Sequence, residues 1–281
     1  MLKLRILIAG ILILSLAVSS LLGGCASTDT SGLKVVTSTS LLAQIVERVG
    51  GDLVDVVNII PPAQCPGHFD VKPSDIQKLA DAELFLLHGW QGEMFTQELI
   101  DSADNPDLTA VVIDIPGNWM TPLVQSQAVE EITTHLVQAD GDNTAAYQQA
   151  ATAFKDIIEA KGAEIQGRLA GENLASINVM CAIEQKGFVM WVGFNVVGTF
   201  GRPDSLTPQV VKDLVDMGRE ENVTLIIDNL QSGEDAGAGV AEELGCARII
   251  LSNFPGGFDN TETWEKAIDR NIELILGVIA P

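Results

Sequence analysis

Basic residues are scarce in this chain. Sixteen Lys and Arg stand against 38 Asp and Glu, a formal charge of −22 over 281 residues. No basic patch exists to neutralise phosphates, which excludes nucleic acid as a partner. Histidine is rarer still, with three in the whole sequence. There is no Ser/His/Asp order, no Gly-x-Ser-x-Gly elbow and no His-Glu-x-x-His helix, and few general bases remain, so the chain reads as a non-enzyme. Four cysteines include no Cys-x-x-Cys pair, which removes dithiol oxidoreductase chemistry. After the N-terminal segment no apolar run is long enough to span a membrane. Internal repeats and low-complexity tracts are also missing.

What is present begins with a leader. Lys3 and Arg5 precede an almost wholly apolar stretch, Ile6 to Val18, and the segment closes on Leu22-Gly23-Gly24-Cys25. A basic start, a short apolar centre and small residues before a cut form a secretory signal. Its ending resembles a bacterial lipoprotein signal, in which Cys25 becomes the acylated N-terminus. The expectation is a signal peptide over 1–24, a lipidated tether over 25–33 and a location outside the cytoplasm, lipid-anchored to the cell membrane. Without Lys3 and Arg5 the remaining chain carries a charge near −24; most of these carboxylates read as solvated helix faces. Cys65, Cys181 and Cys246 then remain, and an odd number argues against a complete disulfide framework. Cys246, at the start of a strand, reads as packing.

The remainder alternates short branched apolar runs with helical spacing. Lys34–Thr37, Val54–Ile60, Leu84–Leu87 and Val111–Ile113 read as strands, with helices over Leu41–Val49 and Ser74–Ala80, the latter opened by Pro73-Ser74. A second set of strands, Ser176–Cys181, Phe194–Thr199, Thr224–Ile227 and Arg248–Leu251, alternates with helices over Phe188–Val192, Pro208–Arg219 and Asp235–Leu244. Thr263–Leu276 closes the chain as a helix. Between the sets lie a helix over Thr121–Gln138 and a long one over Thr144–Leu169. The reading is α/β: two β-α-β lobes with parallel sheets, 34–120 and 173–281, joined by a helical connector over 121–172 with a long rigid helix, and a cleft between the lobes.

Chemistry concentrates in one loop. Pro62-Ala-Gln-Cys65-Pro-Gly-His68-Phe-Asp70-Val-Lys-Pro-Ser-Asp75 puts a thiol and an imidazole at Cys-x-x-His spacing, within reach of one soft or borderline cation. The competing reading is a buried Cys beside a solvated His. His88 ends a strand, where parallel lobes place binding groups, and Asp228 does the same. His135 sits mid-helix and reads as a surface or packing residue. Trp90, Trp119 and Trp191 are wall candidates, though aromatics at element ends also fill cores. Gly256-Gly257 reads as a turn.

These features in this order resemble the zinc/manganese-type, TroA-like metal solute-binding lipoproteins of ABC importers. The resemblance rests on the lipobox, the two lobes and rigid connector, and the Pro-x-His68-Phe-Asp70-x-x-Pro-Ser-Asp75 loop. Val35-Val36-Thr37-Ser38, Gly50-Gly51-Asp52, Ala80-Asp81-Ala82-Glu83-Leu84 and Asn143-Thr-Ala-Ala-Tyr147 extend it over nearly the whole chain. It implies one cation between the lobes, held in the family by three histidines and a carboxylate. Here His68 stands at the first histidine position, the second falls near Gly117, the third near Cys181 and the acidic position near Asn253. The resulting expectation is a softer set, Cys65, His68 and Cys181, with His88, Glu184 or Asp228 as fourth ligand, and with Trp90, Trp119 and Asn253 on the cleft wall. Such a set favours Zn²⁺, with Cu⁺ or another thiophilic ion as alternatives and Mn²⁺ less suited. The implied partner is an ABC permease at the membrane, served by a monomer. Alternatives are the same fold repurposed for a small organic solute or metal chelate, a surface adhesin, or a thiol switch closed by a Cys65–Cys181 disulfide.

Overall fold

The computed structural model describes residues 32–90 and 95–280. The expected signal peptide, the lipidation residue Cys25 and the tether up to residue 31 lie outside the described residues. Among the described residues no helix is long and apolar enough to cross a membrane.

Branched apolar runs bounded by turn residues build two four-stranded sheets. The first contains β1 (Leu33–Thr37), β2 (Val54–Asn58), β3 (Leu84–His88) and β4 (Thr109–Ile113), in the order β2-β1-β3-β4. The second contains β5 (Asn178–Ala182), β6 (Asn195–Phe200), β7 (Leu225–Asn229) and β8 (Ala247–Leu251), in the order β6-β5-β7-β8. Every pairing is parallel. Parallel sheets need cover on both faces, so their central strands lose the polar alternation of a half-exposed strand. β3 and β7 accordingly bury all five of their residues, His88, Asp228 and Asn229 included.

The crossovers in the first lobe are α1 (Ser40–Gly50), α2 (Pro73–Ala80) and α3 (Thr96–Ala103). Those in the second are α6 (Lys186–Val192), α7 (Pro208–Glu220), the single turn α8 (Leu230–Gly233) and α9 (Ala238–Leu244), and α10 (Trp264–Ile279) closes the chain. Two corrections belong here. Pro73 is the first helical residue of α2 and Lys72 its cap, with Asp75 accepting from the Lys72 backbone N–H at 3.0 Å. The helix over Thr96–Ala103 has only Leu99, Ile100 and Ala103 as an apolar stripe and was not anticipated.

Between the sheets run α4 (Pro122–Ala139) and α5 (Thr144–Leu169). At 26 residues α5 is about 39 Å long. Its buried positions, Tyr147, Ala151, Phe154, Ile158, Gly162, Ile165 and Leu169, recur every three or four residues and form one apolar stripe. The turn between the two helices is tied by Asp140, which accepts from Tyr147 Oη and Asn143 Nδ2, each at 2.7 Å.

Three apolar cores follow. The largest joins both lobes, running from Leu42, Ile45 and Leu86 through Trp119, Met120 and Phe154 to Cys181, Ile227, Trp264 and Ile268. Smaller cores fill the outer faces, around Phe85 and Leu79 under α2 and α3, and around Met180 and Ile226 under α7 and α9. Sharing the central core ties the lobes by apolar burial as well as by chain connection.

Candidate functional site

In each sheet the order of strands reverses between two neighbours, β1 and β3 in one, β5 and β7 in the other. Open parallel sheets bind ligands in the crevice beyond the C-terminal strand ends at such a reversal. The two reversals are brought together around a cavity of about 470 Å³. All eight strands supply it at or just beyond their C-terminal end: Leu41, Cys65, Trp90, Trp119, Glu184, Arg202 and Asn253 follow β1 to β6 and β8 in turn, and Asn229 is the last residue of β7. Pro66, Gly117, Asn118, Gln231, Ser232 and Phe254 complete the wall.

Carboxamides dominate the polar part of that wall, and they are already engaged. Asn118 Nδ2 donates to the Glu184 carbonyl at 2.9 Å and to Asn253 Oδ1 at 2.8 Å. Asn253 Nδ2 donates to the same Glu184 carbonyl at 3.0 Å, and the Asn253 backbone N–H donates to Gln231 Oε1 at 3.0 Å. Gln231 Nε2 reaches the Pro62 carbonyl and Ser252 Oγ, both at 2.9 Å. Asn271 on α10 fixes the loop after β8, accepting from Ser252 N–H at 3.0 Å and donating to its carbonyl at 2.7 Å. This network crosses from one lobe to the other through the Asn118–Asn253 side-chain pair and through side-chain bonds to the Glu184 and Pro62 carbonyls.

One acid and one base face each other in the cavity. Glu184 Oε2 accepts from Ser232 Oγ at 3.1 Å, while Oε1 lies 3.9 Å from Arg202 Nε. The aromatic part is layered. His88 stacks on Trp90 with centroids 3.7 Å apart and planes 3° apart, and meets Trp119 edge-on at 4.7 Å. Trp90, 37% exposed, lies near-parallel to Phe254 with centroids 6.3 Å apart.

The residues anticipated as ligands are placed as follows. Cys65 lines the cavity and is buried. His68, in a short turn over Pro66–His68, is exposed and does not line it. Cys181 is fully buried in β5 within the central core, and burial pushes its thiol up to about 12. His88 is buried beneath Trp90, its Nε2 2.9 Å from Thr39 Oγ1 and its Nδ1 without a partner. Burial lowers its pKa to about 3. Glu184 lines the cavity. Asp228 does not: it accepts from Arg248 Nη1 and Gly237 N–H, both at 2.7 Å, on the far side of β7. Burial pushes its carboxyl up, against the pull of both donors.

The structure therefore does not bring Cys65, His68 and Cys181 together. Among the described residues no group of three or more His, Cys, Asp or Glu has the geometry to hold a metal ion. Gly117, near the position of the second family histidine, has φ of +113°, and a Cβ there would lie 2.9 Å from Val124 Cγ2. A side chain at that position would be strained in the backbone and crowded in space. Trp90, Trp119 and Asn253 do line the cavity, as anticipated for the wall. Asn118, Arg202, Gln231, Ser232 and Phe254 were not singled out. The strand-end position that marked His88 and Asp228 marks these residues too, and applied to every strand it would have found them.

Two parallel-sheet lobes with a cavity at their joint strand ends define a bilobal α/β solute-binding protein. The chain belongs to the family described as zinc-uptake complex component A, periplasmic, whose model matches residues 35–277. Members are metal-binding solute-binding proteins of ABC transporters, and the chain is accordingly not an enzyme. It is 29% identical over 157 residues to the manganese-binding lipoprotein MntA of Halalkalibacterium halodurans, covering 50% of this chain and about half, 52%, of that relative. Identity to the iron-binding protein YfeA of Yersinia pestis is 23% over 273 residues, covering 89% of this chain and 87% of YfeA. The fold matches that of the solute-binding protein FpvC of Pseudomonas aeruginosa, solved with Ni²⁺, with a TM-score of 0.76 and 18% identity over 89% of this chain and 97% of that one.

Proposed function

We propose that this protein is the extracytoplasmic receptor of an ABC-type importer. It captures a transition-metal cargo in the cavity between its lobes and hands it to a membrane permease. The observation that carries this reading is the cavity itself, walled by the C-terminal segment of every strand in both sheets. A site shared by two lobes lets a permease read occupancy from their relative setting. Lipidation at Cys25 would keep the receptor at the membrane surface.

Zinc, held by Cys65, His68 and Cys181, would need His68 to turn inward and Cys181 to leave the central core, and the second movement would expose apolar surface. The metals named for MntA, YfeA and FpvC are manganese, iron and nickel, which leaves the identity of the ion to measurement. The direct test is elemental mass spectrometry on protein isolated from its native cell envelope. About one equivalent of a transition metal per chain is expected, and protein devoid of metal overturns the reading.

A further inference from the structure

A bare divalent ion needs four or more donors converging within about 2.0–2.6 Å. Of the residue types that ligate strongly, only Cys65 and Glu184 line the cavity among the described residues. Glu184 already faces Arg202 and accepts from Ser232. The amide oxygens that could serve a hard cation are engaged as well: those of Asn118, Gln231 and Asn253 each accept a hydrogen bond from within the protein. The Asn118–Asn253 amide pair bridges the two lobes across this part of the wall.

What the cavity does offer suits a molecule. Its volume of about 470 Å³ falls within the range of small-molecule sites, about 300–1,000 Å³. Among the described residues its formal charge cancels between Glu184 and Arg202, so a cargo of low net charge enters without leaving either charge unpaired. Trp90, 37% exposed, presents a ring on which a planar group can stack, with Phe254 near-parallel beside it; His88 stacks on Trp90 and is itself held edge-on by Trp119. Cys65 remains as one soft donor.

We infer that the cavity takes its metal as a preformed chelate, a transition ion wrapped in a planar heteroaromatic organic ligand that stacks on Trp90. This rests on the receptor reading above and names the form in which that receptor takes its cargo. No bond in the chelate has to break on binding; Cys65 can at most fill a vacant position on the ion.

The test is isothermal titration calorimetry of the purified protein with three probes: zinc chloride, 8-hydroxyquinoline, and the neutral 2:1 complex of 8-hydroxyquinoline with zinc. The complex is expected to bind one per chain, at least about a hundredfold more tightly than either component. Trp90→Ala, at a partly exposed position, should weaken it about tenfold without loss of folding, and Trp90→Phe should restore most of that. Tight binding of zinc alone, unaffected by Trp90→Ala, overturns the inference and leaves the receptor reading standing. Free quinoline binding as well as its complex overturns the chelate assignment. A folded protein that ignores all three probes, and carries no metal from its native envelope, removes both.

Discussion

His88 shows how position and chemistry separate at a single residue. Its place at the end of β3 is where parallel lobes put binding groups, yet Trp90 covers its face and Trp119 its edge. With the pKa lowered by burial to about 3, the imidazole is neutral throughout the physiological range. The unfolded chain takes up that proton near pH 6.5. The unfolded state therefore binds more protons between pH 6.5 and about 3, and stability falls as pH falls through that window, being fully present above it. Replacing His88 by Gln removes this one contribution. In urea melts from pH 7 to pH 4 the wild type should lose a few kcal/mol more than His88→Gln; parallel curves would mean the ring is accessible to protons. Asp228 is the second such residue. It has no solvent exposure, and Arg248 Nη1 pairs with it at 2.7 Å. Arg248→Met should cost about 3–5 kcal/mol by leaving a buried carboxylate unpaired, read as a lowered urea midpoint; Asp228→Asn added to it should recover part of the loss.

At the scale of elements, the long helix α5 contains two glycines in opposite surroundings. Gly167 has nothing within 4 Å of where a Cβ would stand, whereas at Gly162 that Cβ would meet Pro122 Cγ at 2.8 Å. Alanine in a helix gains about 1 kcal/mol over glycine wherever there is room. Gly167→Ala should raise the thermal midpoint by about 2–4 °C, the effect of about 1 kcal/mol in a domain of this size. Gly162→Ala should lower it despite the same propensity gain, because the rigid proline ring at the start of α4 has to move. Equal responses would mean that α4 and α5 are not in close contact there. The elements themselves were legible because burial on both faces makes parallel strands continuous apolar runs. All eight strands were recognised to within a few residues, and the span of α5 was read as Thr144–Leu169, as observed. Thr96–Ala103 escaped because three apolar residues do not make a periodic stripe, and the extent of β3 escaped by one residue because His88 looks like a terminator when it is a buried partner of Thr39.

The whole molecule decides what the cleft can hold, and here the sequence was less legible. Cys65-x-x-His68 suggested a shared cation because local spacing brings both side chains within reach of a single point. Local spacing does not say which way a turn faces, and the turn over Pro66–His68 buries the thiol and exposes the ring. Conversely, Asn118 and Asn253 are 135 positions apart, with the Glu184 carbonyl between them, and nothing in their flanking residues announces a junction. That junction joins the lobes by a side-chain hydrogen bond in addition to the core they share. Asn118→Ala removes two donated bonds and the acceptor for Met120 N–H, and should cost about 2 kcal/mol. Asn253→Ala should cost a similar amount. Since both changes break one shared bond, the double variant should be less destabilised than the sum of the singles by about 1 kcal/mol in urea melts. Calorimetry should still show one transition, because the central core spans both lobes and neither lobe can unfold without exposing the other. Strict additivity would mean that the two amides act apart, and a second, separate transition would mean that the lobes are joined by their connector alone.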